Sequence, residues 1–112
     1  MDEQARGIVQ VVAIVKPFRA EAVLSALQPF EILGGTGREV MGYGRQKNRL
    51  HRYLGSEYNA SFLPKVEITV FLWEADSSAA VRAIVSQART GRIGDGKILV
   101  LAVYPEAIHW GA

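Results

Sequence analysis

Residues 8–15 read Ile8-Val9-Gln10-Val11-Val12-Ala13-Ile14-Val15, and Lys16-Pro17 follows directly. All but Gln10 and Ala13 are β-branched, and only Gln10 is polar. Such a run suits a central strand with both faces largely covered. Proline has its φ already set for a first helical position, where its missing N–H removes no intrahelical bond. The pattern therefore predicts a helix over Pro17–Leu27, with Ala20, Val23, Leu24 and Leu27 in one apolar stripe. Pro29 and Gly34-Gly35 are read as its breakers.

The second half of the chain repeats this grammar. Val66–Trp73 predicts a strand, and Asp76-Ser77-Ser78 offers an N-cap oxygen to a following helix. Ala80, Val81, Ile84, Val85 and Ala88 make that helix's apolar face, and Gly91 is placed to cap its end. Ile98–Val103 is a further strand, stopped by Pro105. Between the halves lie a strand over Thr36–Met41 and an irregular stretch, Gly42 to Pro64, with no sustained period. A patternless stretch of that length is usually functional or disordered. Two βαβ halves predict an α+β class fold: a ferredoxin-like βαββαβ plait, one antiparallel sheet with both helices on one face. The first and last strands are apolar on both sides, so the other face of the sheet is an apolar surface that predicts homo-oligomerisation.

Composition narrows the chemistry. The 112 residues predict one domain, 1–112. With no cysteine, disulfides, thiolate metal sites and cysteine nucleophiles are excluded, and two histidines, His51 and His109, make a His-rich zinc site a poor fit. The first apolar run is too short to span a membrane and is not preceded by a basic segment, so a cytoplasmic protein without membrane insertion is expected. Between Arg38 and Lys65 there are six basic residues and two acidic ones, against a net charge of +2 for the whole chain. The middle of the chain either meets something anionic or is a solvated loop.

Four segments have chemical potential. In Thr90-Gly91-Arg92-Ile93-Gly94-Asp95-Gly96-Lys97, three glycines in six residues let backbone N–H groups approach an anion, and Arg92 and Lys97 add charge. It lacks the spacing of a Walker loop and leads from a helix into a strand, so a tight connection is the plainer alternative. Gly42-Tyr43-Gly44-Arg45-Gln46-Lys47 joins glycines to two cations and an amide. Tyr53-Leu54-Gly55-Ser56-Glu57-Tyr58 carries two loop tyrosines that suit modification or partner binding, and Phe62-Leu63-Pro64-Lys65 returns the loop to the sheet. His51, between Arg49 and Arg52, reads as solvent-exposed. No Ser-His-Asp order, paired carboxylates or carboxylate cage is visible, so Mg²⁺ would be held largely through a ligand's phosphates. The four loop cations with two tyrosines are a weak footprint for nucleic acid.

Taken in order, Ile14-Val15-Lys16-Pro17-Phe18, Gly42–Lys47, Gly55-Ser56-Glu57-Tyr58, Phe62–Val66 and Ala88–Ile98 resemble the PII signal-transduction proteins of nitrogen metabolism, over about Val12 to Val103. The resemblance implies a homotrimer with an adenine nucleotide, ATP or ADP, in each cleft between neighbours. It implies that residues of about 44–62 form the T-loop, which engages a target protein such as a nitrogen-metabolism enzyme or a membrane transporter. Gly94, Asp95, Gly96 and Lys97 match the phosphate loop, and Thr36 and Thr90 match positions near adenine and ribose. Gly44, Arg45 and Gln46 match the T-loop base, where Gln46 would help hold Mg²⁺ and 2-oxoglutarate. Lys47 and Lys65 complete the 2-oxoglutarate set, with Lys65 pairing a carboxylate. Tyr58 matches the tyrosine that is uridylylated in many proteobacterial members. The family implies a sensor and no enzyme; a slow nucleotide hydrolase is the rival reading.

The chain departs from the family pattern at three places. Leu54 stands where a basic residue is usual, and Asn48 stands where a glycine is common. The tail carries Ile108-His109-Trp110 in place of an Arg-x-Arg pair that reaches a neighbour's phosphates. Only His109 offers charge there, when protonated. These departures imply a divergent member that favours ADP or AMP over ATP, with weak 2-oxoglutarate binding and a target outside nitrogen metabolism, such as carbon or metal transport.

Overall fold

The computed structural model describes residues 7–42, 63–92 and 95–104. The elements run β1 (Ile8–Val15), a 3-10 turn (Pro17–Arg19), α1 (Ala20–Ala26), β2 (Gly34–Gly42), β3 (Leu63–Trp73), a second 3-10 turn (Glu74–Asp76), α2 (Ser77–Ala88) and β4 (Gly96–Val103). All four strands form one antiparallel sheet in the order β2-β3-β1-β4. This is the ferredoxin-like plait that the two halves predict.

The period of two divides β1 cleanly. Val9, Val11, Ala13 and Val15 of β1 are buried, as are Ile68, Val70 and Leu72 of β3. They form one core with Val23 and Leu27 at α1 and with Ala80, Ile84 and Ala88 of α2. Fully burying each larger aliphatic side chain contributes about 1.5–3 kcal/mol. Val11 lies opposite both Val70 and Val100, and Ala13 opposite Ile68 and Ile98; the row of Ala13 is packed beneath the helices, whereas Val100, on the edge strand, stays about half exposed.

The second face carries Ile8, Val12 and Ile14 of β1 and Leu99, Leu101 and Val103 of β4. Leu99 and Leu101 are each about half exposed. An apolar sheet face left uncovered by the helices is the surface from which oligomerisation is expected.

Several local details differ from the sequence reading. The predicted helix over Pro17–Leu27 opens as a 3-10 turn, with α1 beginning only at Ala20. Asp76 precedes α2 but makes no capping bond; its backbone is already helical (φ −91°, ψ −7°) because the 3-10 turn runs through it. Ser77 Oγ instead donates back to the Glu74 carbonyl at 2.8 Å. Gly91 does not cap α2: Arg89 takes that position in an extended conformation, and Gly91 turns the chain two residues later at φ +81°. Gly34 and Gly35 belong to β2 rather than preceding it. A Cβ on Gly35 would lie 2.9 Å from the Thr69 carbonyl oxygen, so the glycine permits close strand pairing there. Pro64 sits inside β3 opposite Met41, beyond β1's last rung at Val15–Val66, where β3 has a neighbour on one side only.

Candidate functional site

One end of the sheet collects the chemistry. β1 ends at Val15, β2 ends at Gly42, β3 begins at Leu63 and β4 begins at Gly96. Antiparallel pairing brings these four termini together: Gly42 lies opposite Leu63, and Val15 lies opposite both Val66 and Gly96. The interval 43–62, the return lysine and the glycine segment therefore all start or finish at this edge.

Carried one step past the Val15 rung, the register aligns Lys65, Lys16 and Asp95 on three neighbouring strand ends. The Lys16 Nζ lies 3.2 Å from Asp95 Oδ1. The preceding row, on the same face, holds Arg38, Glu67, Ile14 and Lys97. Arg38 and Glu67 pair directly, with Arg38 Nε donating to Glu67 Oε1 at 3.0 Å and Nη2 to Oε2 at 3.5 Å. The uncovered face is thus charged at this end and apolar toward Ile8 and Val103.

Asp95 is the most heavily bonded carboxylate described. It accepts from the Thr90 amide at 3.0 Å, from the Gly91 amide at 2.9 Å and from the Thr90 hydroxyl. These bonds, led by the Thr90 hydroxyl and joined by Lys16, hold its pKa well below the usual carboxylate range. Thr90 Oγ1 also accepts from Lys16 Nζ at 3.1 Å and from the Arg92 amide at 3.3 Å. A hydroxyl has one proton and two lone pairs, so this one is fully used within the chain. Lys65 is only 6% exposed. Burial, and then the neighbouring Lys16 charge, push its pKa down, while Asp95 acts in the opposite sense.

Gly96 connects this cluster to the sheet. Its φ is +112°, and a Cβ there would fall 1.8 Å from the Ile14 carbonyl oxygen. Glycine is required both by conformation and by space. Beside it, a cleft of about 270 Å³ opens between α2 and β4, with apolar walls from Val81 and Val85 and with Arg89, Asp95, Gly96 and Lys97 along it.

Of the residues singled out from sequence, the fold brings Lys65, Thr90, Asp95, Gly96 and Lys97 to this edge. Thr36 lies on β2 opposite Thr69, exposed and on the uncovered face. Gly44, Arg45, Gln46, Lys47, Tyr58, Gly94 and His109 lie outside the described residues. Among the described residues no group of three or more His, Asp or Glu side chains is gathered to hold a metal ion, and no helix is long and apolar enough to cross a membrane. Lys16 was not singled out as a site residue by the sequence reading, which placed it just past the first strand and within a family-matching segment. Its signal was a lysine held at the very end of an apolar strand, where neighbouring strands also end in charge.

Residues 8–106 match the family model described as "Nitrogen regulatory protein P-II". The chain is 46% identical over 91 residues to the nitrogen regulatory protein P-II of Rhizobium meliloti (strain 1021), covering 81% of each chain. It is 45% identical over 100 residues to that of Rhodospirillum rubrum, covering 89% of this chain and 88% of the other. Among solved structures, it is similar to Arabidopsis thaliana PII bound to citrate, with a TM-score of 0.64 and 33% identity over 86% of this chain and 74% of that one. A family match over nearly the whole chain, relatives near half identity and the shared plait agree: this chain belongs to the P-II nitrogen regulatory protein family of signalling proteins.

Proposed function

We propose that this protein is a non-enzymatic, cytoplasmic sensor that binds an adenine nucleotide between the protomers of a homotrimer and regulates a target protein through its T-loop. Trimers are characteristic of the family. The observation that carries the reading is the convergence of three segments on one sheet edge: the Thr90–Lys97 glycine segment, Lys65, and the strand ends flanking 43–62. A ligand whose phosphates lie on the glycine segment would sit beside the base of the T-loop. It would thereby have the differential contact with two loop states that a sensor requires.

In this reading Lys97 and Arg45 meet phosphate, and Gly94 and Gly96 allow close approach. Gln46 carries Mg²⁺ through the nucleotide, and Lys47 and Lys65 favour 2-oxoglutarate as a second effector. That the Arabidopsis relative is bound to citrate supports a polycarboxylate as one effector class. Tyr58 is the proposed uridylylation site.

Calorimetry with ATP, ADP and AMP, with and without Mg²⁺ and 2-oxoglutarate, tests the sensor. Absence of binding by all three nucleotides would reject it. Capture of partners with the intact chain and with Arg49–Tyr58 deleted, in ATP and in ADP, tests the T-loop and identifies the target. A second reading rests on the Ile108-His109-Trp110 tail: an ADP or AMP sensor acting on carbon or metal transport. Nucleotide turnover at several per minute would instead favour a hydrolase.

A further inference from the structure

An anion-binding loop that contains an aspartate carries its own repulsion. In this loop Asp95 is directed into the chain, against the Thr90 and Gly91 amides, the Thr90 hydroxyl and Lys16. Lys16 reaches it from the end of β1, 79 positions away in sequence, and also donates to Thr90 Oγ1 at 3.1 Å. One ammonium thus ties the start of the loop, at Thr90, and its end, at Asp95, to the central strand.

We infer that Lys16 is a positioning residue for phosphate binding: its ion pair with Asp95 cancels the loop's negative charge and fixes the loop ends, so that the side chains of Thr90 and Asp95 organise the site instead of touching the ligand. The inference rests on the nucleotide reading above. Two chemical facts lead to it. The Thr90 hydroxyl has no unused hydrogen-bonding capacity, as its donor serves Asp95 and its acceptors serve Lys16 and Arg92. The Asp95 carboxylate, an acceptor only when ionised, can offer nothing but repulsion to a phosphate. Unpaired from Lys16, it would place a full negative charge one residue from Gly96 and two from Lys97. Lys65 is the poorer counter-charge, since it is buried on the next strand and that burial disfavours its charged form.

The experiment is calorimetric titration of the full chain with ADP and with adenosine, for wild type and for Lys16→Met, Lys16→Arg, Asp95→Asn and the Lys16→Met/Asp95→Asn double variant. Lys16→Met should weaken ADP about tenfold or more, the scale of one lost charge-assisted contact. Adenosine, which has no phosphate to be repelled, should change by less than about twofold, on the scale of uncoupled sites. Lys16→Arg should recover most of the ADP affinity, and the double variant should bind ADP more tightly than Lys16→Met alone because no unpaired carboxylate remains. A merely structural lysine would move ADP and adenosine together. Equal losses for the two ligands, or unchanged ADP binding in Lys16→Met, would overturn the inference while leaving the nucleotide sensor intact. A wild type that binds no nucleotide rejects the sensor and the inference with it. If Lys16→Met does not fold, Lys16→Gln, which keeps hydrogen-bond donors without the charge, takes its place. The inference then requires about tenfold weaker ADP in Lys16→Gln with adenosine unchanged, and near-normal ADP binding in Lys16→Arg. Unchanged ADP binding in Lys16→Gln, or ADP and adenosine weakened equally, would overturn it.

Discussion

Gly96 presses its backbone against the carbonyl of Ile14 so closely that a Cβ would lie 1.8 Å from the oxygen, in a residue whose φ of +112° already excludes most side chains. The contact is between two strand backbones, β4 against β1, so neither side can give way by turning a side chain. Gly96→Ala should therefore cost more than about 2–3 kcal/mol, combining backbone strain with a steric clash. Gly91→Ala makes the control: φ is +81° but nothing lies within 4 Å, so only the left-handed penalty of about 1–2 kcal/mol applies. Urea unfolding of both variants checks the difference. Equal losses would show that the crowding at Gly96 is relieved.

β2 offers a second pair. Gly35→Ala brings a Cβ to 2.9 Å from the Thr69 carbonyl and 3.2 Å from Val70 Cγ1, and should destabilise by about 1–3 kcal/mol. Gly37, two residues on, has its nearest neighbour 3.9 Å away at the Glu67 carbonyl. Gly37→Ala should be neutral or stabilising by up to about 1 kcal/mol, since alanine loses less backbone entropy on folding. Thermal melts of both variants decide it.

Asp95 should remain ionised well below the pH at which an ordinary carboxylate titrates. Its lowered folded pKa means that its contribution to stability is complete above the ordinary carboxylate range. That contribution is withdrawn progressively as pH falls from the ordinary carboxylate range to the lower folded value. Thr90→Val removes the leading cause and should move the titration upward, toward the ordinary range. Carboxyl ¹³C shifts of Asp95 followed from pH 7 downward test this; an unchanged midpoint in Thr90→Val would be the contrary result.

Lys65 should titrate below a free lysine, and its neighbours should move it in opposite directions. Lys16→Met removes a repelling charge and should raise the Lys65 pKa; Asp95→Asn removes an attracting one and should lower it. Because the folded state favours the neutral amine, the stability penalty of charging Lys65 is present at neutral pH and is relieved as pH rises through its lowered value. Lysine ¹³Cε NMR titration of the three proteins gives the order directly. A common midpoint would mean that the charges are screened from one another.

The tail sequence sets the last expectation. If the proposed nucleotide site holds, the absence of an Arg-x-Arg pair would deprive ATP of γ-phosphate partners each worth about 1.5–3 kcal/mol, whereas ADP would rely on the glycine segment. ADP should bind at least as tightly as ATP, and 2-oxoglutarate weakly. If His109 substitutes for an arginine, ATP affinity should rise from about pH 8 to 6 as imidazole charges. Titrations at both pH values measure this; tight ATP binding at pH 8 with strong 2-oxoglutarate synergy would be the opposite outcome.

The sheet and its helices were legible because they rest on periodicities that the chain displays locally. The continuous β-branched run at Ile8–Val15, the repeat of strand and helix after Val66, and apolar residues three and four apart each report their own burial. The glycine segment was singled out by its composition, and Lys65 by the family resemblance, not by any period. Lys16 and Asp95 were not joined by any local signal. They meet because antiparallel pairing places the end of β1 beside the start of β4, a relation of register between distant segments. The same holds for the glycines. Gly35 reads as a helix breaker and Gly96 as part of an anion-approaching segment in one dimension, yet both lie within strands, where a neighbouring backbone leaves no room for a Cβ. Asp76 failed as a cap for a related reason: the preceding 3-10 turn had already set its backbone. Sequence pattern determines which residues leave water, because that free energy follows the side chain's own chemistry. Which charges meet, and where a backbone must stay bare, are decided by the distances between strands that only the folded sheet creates.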